Sequence, residues 1–279
     1  MQTSIAHIKK SLQGIYPISE IKSLTKVIME NVTGFSVPAI ISDKNKKITS
    51  IQAKKIDEII ERLKNMEPIQ YILGETEFFG MTFAVDKNVL IPRPETEELV
   101  ELIISENKDV QPVNILDIGT GSGAIAVALK KNLPGSIVSA WDVSPGALGV
   151  AAKNAADNGV QVLFEKVDIL GVYPKEKRFD IIVSNPPYVM ESEKAVMDDN
   201  VLRHEPHLAL FVPDNKALMF YERIADVALC LLEEGGRLYF EINAQKGQET
   251  VDMLACKGFR DIRLFTDLSG KDRMVRAVI

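Results

Sequence analysis

The apolar positions of this chain keep one period up to about residue 73 and a different one after it. Ile21, Leu24, Val27, Ile28 and Val32 share one helical face, and Ile56, Ile59, Ile60 and Leu63 share another, the spacing of amphipathic helices. Thr49, with Gln52 three residues on, has the spacing of a capping box and marks the second helix start. The polar stretch Ser42 to Lys47 reads as the loop between them. No strand pattern interrupts this part, so residues 1–73 are predicted to form a small helical domain. Beyond it, Phe83, Val85, Val89 and Ile91 alternate with polar residues around Asp86-Lys87-Asn88. That alternation predicts a β-hairpin within residues 74–92, joining two domains. Arg93-Pro94 then opens a helix, with Pro at its first position and Glu95, Glu97 and Glu98 near the positive end of its dipole.

From Val113 the pattern becomes a regular exchange of apolar runs and helical stretches. Strands are predicted over Val113 to Ile118, Ser136 to Asp142, Val160 to Val167, Phe179 to Val183 and Arg237 to Ile242. Helices are predicted to start near Gly123, Ser144, Asn215 and Ala244. Ser144-Pro145 supplies a cap followed by proline, and Leu148, Ala151, Ala152 and Ala155 share the face behind it. This alternation predicts an α/β fold with a parallel sheet and helices on both faces, over residues 93–279. Phe259 to Phe265 and Arg273 to Ile279, with Asp267 to Asp272 between, read as an antiparallel hairpin at the sheet edge.

Composition narrows the class. The 279 residues are 46% apolar and 26% charged, the balance of a water-soluble globular protein. No apolar run approaches the ~20 residues of a membrane span, and the N-terminus lacks the order of a signal peptide. Two cysteines, Cys230 and Cys256, both in amphipathic patterns, point to a reduced, cytoplasmic setting. A net charge of −6 argues against a protein that grips duplex nucleic acid through many phosphates.

The most informative stretch is Ser184-Asn185-Pro186-Pro187-Tyr188, directly after the apolar strand Phe179 to Val183. Two prolines force the chain out of the sheet in one stiff shape. Asn185 is thereby left at the carboxyl end of a strand, where open α/β sheets bind ligands. The Asn185 side-chain oxygen and the Pro186 carbonyl are two acceptors suited to a planar NH2 group, and Tyr188 can lie flat against what carries it. The pattern predicts a clamp for an amide or amino nitrogen.

Asp117-Ile118-Gly119-Thr120-Gly121-Ser122-Gly123 follows the first strand and enters a helix, so the backbone can turn tightly and approach a ligand. With Ala124 the loop also satisfies Gly-x-Gly-x-x-Ala, which keeps a nicotinamide dinucleotide and an oxidoreductase in view. Asp142 can accept from both ribose hydroxyls and Asp168 from an adenine amine. For a single aspartate a loop cap is the simpler reading. Acids at three successive strand ends favour one shared adenosine ligand. Hydride transfer needs no amide clamp and methylation of nitrogen does, so S-adenosylmethionine is the expected cofactor, its carboxylate meeting loop N–H groups.

Glu67 to Gly74, Phe78-Phe79-Gly80, Ile91-Pro92-Arg93-Pro94-Glu95-Thr96-Glu97, Asp117 to Gly123 and Asn185-Pro186-Pro187-Tyr188 occur in that order. Together they resemble the bacterial peptide chain release factor glutamine methyltransferases, the PrmC/HemK family, over nearly the whole chain. The resemblance implies a Rossmann-like class I methyltransferase domain with a helical substrate-binding domain. It implies methylation of the glutamine side-chain nitrogen in the Gly-Gly-Gln motif of release factors. Gly119 to Gly123 and Asp142 would bind S-adenosylmethionine, Asn185 would lie near donor and acceptor, and Asn185 to Tyr188 would receive the glutamine. Some members carry an aromatic residue where this chain has Ile169. Protein release factors are the expected partners, with no direct nucleic-acid or membrane binding and a monomeric state.

His204-Glu205-Pro206-His207 invites a metal reading, but Pro206 breaks helical spacing and no third ligand is near. A substrate-side loop is expected there, and no metal. Arg93, Glu95 and Glu97 read as helix-start residues, Asp272-Arg273 as an ion pair, and Trp141 as packing beneath Asp142. The rival functions are a nucleic-acid amino-methyltransferase, which would need a basic groove, the oxidoreductase above, and a non-catalytic adaptor, which leaves the clamp unexplained.

Overall fold

The computed structural model describes residues 1–36, 38–39, 47–110 and 112–279. It divides into two compact units, 1–74 with 198–204, and 75–197 with 205–279. The expected loop Ser42 to Lys47 falls, except for Lys47, outside the described residues.

The first unit contains α1 (Gln2–Leu12), α2 (Ile18–Thr33), α3 (Ser50–Lys64) and α4 (Ile69–Leu73). Its core joins Ile8 and Leu12 to Ile21, Leu24, Ile28 and Val32 of α2 and Ile56, Ile59, Ile60 and Leu63 of α3. Val27, expected on the buried face, is 37% exposed. It sits about 100° of helix rotation from Ile28, and the tighter stripe at 21, 24, 28 and 32 is the one that packs. The capping box at α3 forms as its spacing requires: Gln52 N donates to Thr49 Oγ1 (3.2 Å) and Thr49 N to Gln52 Oε1 (3.0 Å).

The second unit begins with a hairpin of β1 (Glu75–Phe78) and β2 (Met81–Ala84). The turn lies at Phe79-Gly80 and not at Asp86 to Asn88. Phe79 (φ 50°) and Gly80 (φ 69°) are both left-handed, the combination that matches strand twist in a two-residue turn. Asp86 instead closes a loop on itself, its carboxylate accepting from Asn88 N (2.8 Å) and its carbonyl from Val89 N (3.1 Å).

Next come α5 (Pro94–Asn107), β3 (Asn114–Ile118), α6 (Ala124–Asn132), β4 (Ile137–Asp142), α7 (Pro145–Asp157), β5 (Leu163–Lys166) and β6 (Phe179–Ser184). The short strands β7 (Val189–Met190) and β8 (Phe211–Val212) pair with each other, and between them α8 (Asp199–His204) joins the first unit. The chain ends with α9 (Met219–Leu231), β9 (Leu232–Glu241), α10 (Gly247–Cys256), β10 (Arg260–Thr266) and β11 (Asp272–Val278). The helices expected near Asn215 and Ala244 each begin with a 3₁₀ turn, Asp214–Lys216 and Ala244–Lys246, before the α-helix proper.

Seven strands form one sheet in the order β10-β11-β9-β6-β3-β4-β5. β5, β4, β3, β6 and β9 are parallel, and β11 runs antiparallel to both β9 and β10. Successive residues feed opposite faces, as strand geometry dictates. Ile115, Ile181 and Val183 enter one buried cluster with α5, α6 and the hairpin, while Leu116, Ile118 and Ile182 enter the other with α9 and α10. No helix among the described residues is long and apolar enough to cross a membrane.

Candidate active site

Sheet register assembles the site. Ile118 of β3 pairs with Trp141 of β4 on one side and with Ser184 of β6 on the other. The residues that follow, Gly119, Asp142 and Asn185, therefore leave the sheet at the same level. Ser184 Oγ donates to the Ile118 carbonyl (2.7 Å) and pins the two exits together.

The glycine loop is held from behind. Gly119 N and Thr120 N both donate to the Trp141 carbonyl (2.8 and 3.0 Å), Gly123 N donates to the Thr120 carbonyl (2.8 Å), and Gly121 N donates to Asp142 Oδ2 (2.9 Å). The expectation that these N–H groups would greet a carboxylate is thereby corrected at four of the loop's five residues: their protons are committed inside the protein. What the loop offers instead is an open backbone face. A Cβ built on Gly119 or Gly121 would meet nothing within 4 Å.

Asp117 lies under this loop with 0% exposure, so its part is support and not contact. Its Oδ2 accepts from Thr120 Oγ1 (2.6 Å), and Oδ1 has no hydrogen-bond partner. Burial, against the Thr120 hydrogen bond and with the charge of Asp142, pushes its carboxyl up to about 7. Thr120 and Ser122 are buried as well, which leaves Gly119 and Gly121 as the loop's accessible residues.

Asp142 is half-buried and accepts from Ser144 N through Oδ1 (2.8 Å) as well as from Gly121. Each carboxylate oxygen keeps a second lone pair for a ribose hydroxyl. Asp168 is exposed beyond β5, and its Oδ1 accepts from Leu170 N (2.9 Å). Arg223 of α9 fixes this loop by donating to the carbonyls of Ile169 (2.7 Å) and Gly171 (2.6 Å). Ile169 packs against the sheet's second apolar cluster. The open glycine face and the two accessible acids fit an adenosine ligand with its charged tail.

At the end of β6, Pro186 is buried while Asn185, Pro187 and Tyr188 are half-buried. Asn185 Nδ2 donates to Thr96 Oγ1 (3.3 Å), and Thr96 Oγ1 donates to Glu241 Oε2 (2.6 Å). The Tyr188 hydroxyl donates to the other oxygen, Glu241 Oε1 (3.1 Å). Asn243 Nδ2 holds the Tyr188 carbonyl (3.2 Å). Burial raises the carboxyl of Glu241, opposed by the hydrogen bonds from Thr96 and Tyr188. Burial, then the charge of Glu241, raises the Tyr188 phenol, so that hydroxyl stays protonated and donating.

Sequence reasoning missed Thr96, Glu241, Asn243 and Asn154. Asn154, fully buried in α7, donates to the carbonyls of Ala84 and Ser122 (2.9 Å each) and accepts from Ala84 N (2.7 Å). Arg93, read as a helix-start residue, does more: its Nη2 pairs with buried Glu205 Oε1 (2.6 Å), whose Oε2 accepts from Ile91 N (3.3 Å). Glu97 also reaches beyond its helix, accepting from Phe79 N (2.8 Å). His204 contacts the Asn65 carbonyl (3.0 Å), whereas His207 packs edge-on against Phe211 (5.2 Å between centroids); the two rings face different partners. Arg273 pairs with Asp267 (3.2 Å) and not with Asp272, because Asp267 closes the turn before β11. Trp141 is buried edge-on to Phe179 (6.4 Å) as the packing reading expects.

A mainly parallel sheet with a glycine loop after β3 and Asn185-Pro186-Pro187-Tyr188 after β6 is the architecture of a Rossmann-like methyltransferase. Residues 96–208 match the family described as methyltransferase small domain, and a methyltransferase from Pyrococcus furiosus shares the fold (TM-score 0.53, 16% identity, 82% of this chain and 98% of that one). Residues 4–74 match the PrmC N-terminal domain. The release factor glutamine methyltransferase of Bacteroides thetaiotaomicron is 47% identical over 278 residues, 99% of each chain. That of Flavobacterium psychrophilum is 47% identical over 270 residues, 96% of this chain and 95% of its own. The chain belongs to the release factor glutamine methyltransferase family.

Proposed function

We propose that this chain methylates the side-chain amide nitrogen of the glutamine in the Gly-Gly-Gln motif of release factors, with S-adenosylmethionine as donor. The observation that carries the reading is the committed amide of Asn185. One of its two Nδ2 N–H groups goes to Thr96, which fixes the amide and sets Oδ1 on its other branch as an acceptor, in a turn that also carries the Pro186 carbonyl and is stiffened by two prolines.

An amide nitrogen is a weak nucleophile because its lone pair is delocalised into the carbonyl. Asn185 Oδ1 and the Pro186 carbonyl accept its two N–H bonds and fix its direction, and Tyr188 lies against the carboxamide plane. Neither acceptor takes a proton, so the chain orients the nitrogen; as the N–CH3 bond forms and the S–CH3 bond breaks, S-adenosylhomocysteine would leave and the displaced amide proton would pass to solvent water. Orientation of this kind supplies up to roughly 7–11 kcal/mol in the best cases. Gly119, Gly121, Asp142 and Asp168 would hold S-adenosylmethionine, which when bound supplies the electrophilic methyl group. In this reading residues 93–279 are the transferase domain and residues 74–92 a hairpin linker. Helical residues 1–73 grip the protein acceptor, and the chain works as a cytoplasmic monomer.

The test is mass spectrometry of purified release factors after incubation with the enzyme and S-adenosylmethionine, expecting one added methyl on the motif glutamine. Asn185→Ala is expected to abolish turnover while keeping affinity for S-adenosylmethionine within about threefold, since positioning carries the rate. Near-normal turnover in that variant would defeat the clamp.

A further inference from the structure

The clamp residues are not self-supporting. Asn185 and Tyr188 lie three positions apart along the chain, yet both end on one buried carboxylate. Glu241 closes β9 and is 1% exposed. The register that pairs Ser184 with Phe240 brings it level with Asn185. Its two oxygens are divided: Oε2 takes the Thr96 proton at 2.6 Å and Oε1 the Tyr188 proton at 3.1 Å.

That division has a directional consequence. A threonine hydroxyl has one proton. With it given to Glu241, the Thr96 oxygen faces Asn185 as an acceptor only, at 3.3 Å. An Asn185 amide turned by 180° would set oxygen against oxygen. The relay Asn185 → Thr96 → Glu241 therefore runs one way, and it decides which end of the Asn185 carboxamide is left for a ligand. The backbone reinforces it: Asn243, two residues past Glu241, donates to the Tyr188 carbonyl (3.2 Å), and the Tyr221 hydroxyl donates to the Glu241 carbonyl (3.2 Å). A buried carboxylate served by hydroxyl groups is a costly choice for packing alone.

We propose that Glu241 is a positioning residue of the active site, fixing through Thr96 the polarity of the Asn185 amide and through its second oxygen the seat of Tyr188. The inference rests on the amide-methylating reading above and adds the group that makes the clamp single-valued.

Thr96→Val keeps the side-chain shape and removes the relay proton, and Thr96→Ser restores it. With intact release factor as acceptor, Thr96→Val is expected to lower kcat by roughly 10²-fold. Its KM and its dissociation constant for S-adenosylmethionine, measured by calorimetry, are expected to stay within about threefold, because the grip on the acceptor is assigned to residues 1–73 and that on S-adenosylmethionine to Gly119, Gly121, Asp142 and Asp168. Thr96→Ser is expected to recover turnover to within about tenfold of the parent. In a spectrum of 15N-asparagine-labelled protein, the Asn185 side-chain NH2 pair, identified by its loss in Asn185→Ala, is expected to shift in Thr96→Val and return in Thr96→Ser. A Thr96→Val enzyme with kcat within about threefold of the parent, or with the Asn185 NH2 pair unmoved, would overturn the proposal. So would a Thr96→Ser enzyme as slow as Thr96→Val. If Thr96→Val does not bind S-adenosylmethionine, Glu241→Gln is judged by the same criteria. Should the parent enzyme methylate no release factor, the acceptor reading fails by itself, and the NH2 shift still reports on the relay.

Discussion

Replacing Asp117 by asparagine removes a titrating group from beneath the glycine loop while keeping an oxygen for the Thr120 hydroxyl. In the folded chain burial holds this carboxyl at about 7, against an ordinary value of 3.8. The folded state therefore binds the proton more tightly than the unfolded chain does. Stability from this group is fully present below the ordinary value and is lost as pH rises towards about 7. The whole shift corresponds to about 4 kcal/mol, and the part falling between pH 5 and pH 8 to about 2.5 kcal/mol. The groups that face the carboxyl are the Thr120 hydroxyl, the Asp142 carboxylate and the Ala126 backbone N–H. The chain has one tryptophan, Trp141, buried in the same unit, so its fluorescence follows unfolding of that unit and not of the helical one. Urea titrations at pH 5 and pH 8 are expected to show the parent losing about 2.5 kcal/mol more than Asp117→Asn on going to the higher pH. Parallel pH dependence in the two proteins would refute a buried, proton-holding Asp117.

Two glycines of the same loop separate backbone strain from packing. Gly121→Ala is expected to cost about 1–2 kcal/mol for its left-handed backbone, with weaker S-adenosylmethionine binding by calorimetry, since its methyl points into open space. Gly123→Ala adds contacts of 3.0 and 3.2 Å with Ala151 Cβ and Cα and is expected to lose a further ~1–3 kcal/mol by urea titration; equal stability of the two variants would refute that ordering. Arg93→Ala strands the buried Glu205 carboxylate and is expected to destabilise the second unit by about 3 kcal/mol. Parent-like thermal stability would mean that Glu205 is satisfied without its guanidinium partner.

How much of this could be read from the chain depends on whether the cause is local. Thr49 with Gln52, and Ser144 before Pro145, cap their helices because partner and donor are three residues apart. The strands at Asn114–Ile118 and Phe179–Ser184 are legible because a central parallel strand buried on both faces is mostly apolar, here Ile115-Leu116 and Ile181-Ile182-Val183 with single aspartates beside them. The hairpin turn was misplaced because Phe79 adopts a left-handed backbone that no residue preference announces, whereas Asp86 to Asn88 has turn chemistry and closes a loop. The extra length of β9 was hidden by the polar run Glu233-Glu234-Gly235-Gly236. Of the site, residues next to a strand end were readable from type and position alone. Thr96 and Glu241 lie 145 residues apart, and no spacing rule relates them. The amides of Gly119, Thr120 and Gly121 were misassigned because their acceptors, the Trp141 carbonyl and the Asp142 carboxylate, belong to a neighbouring strand.

Asn154 gives one further consequence. A single buried carboxamide grips both backbone groups of Ala84 and the carbonyl of Ser122, so the hairpin and the glycine loop share one anchor. Hydrogen exchange at the Ala84 amide is thus expected to serve as a remote gauge of the glycine loop's integrity, readable without any ligand.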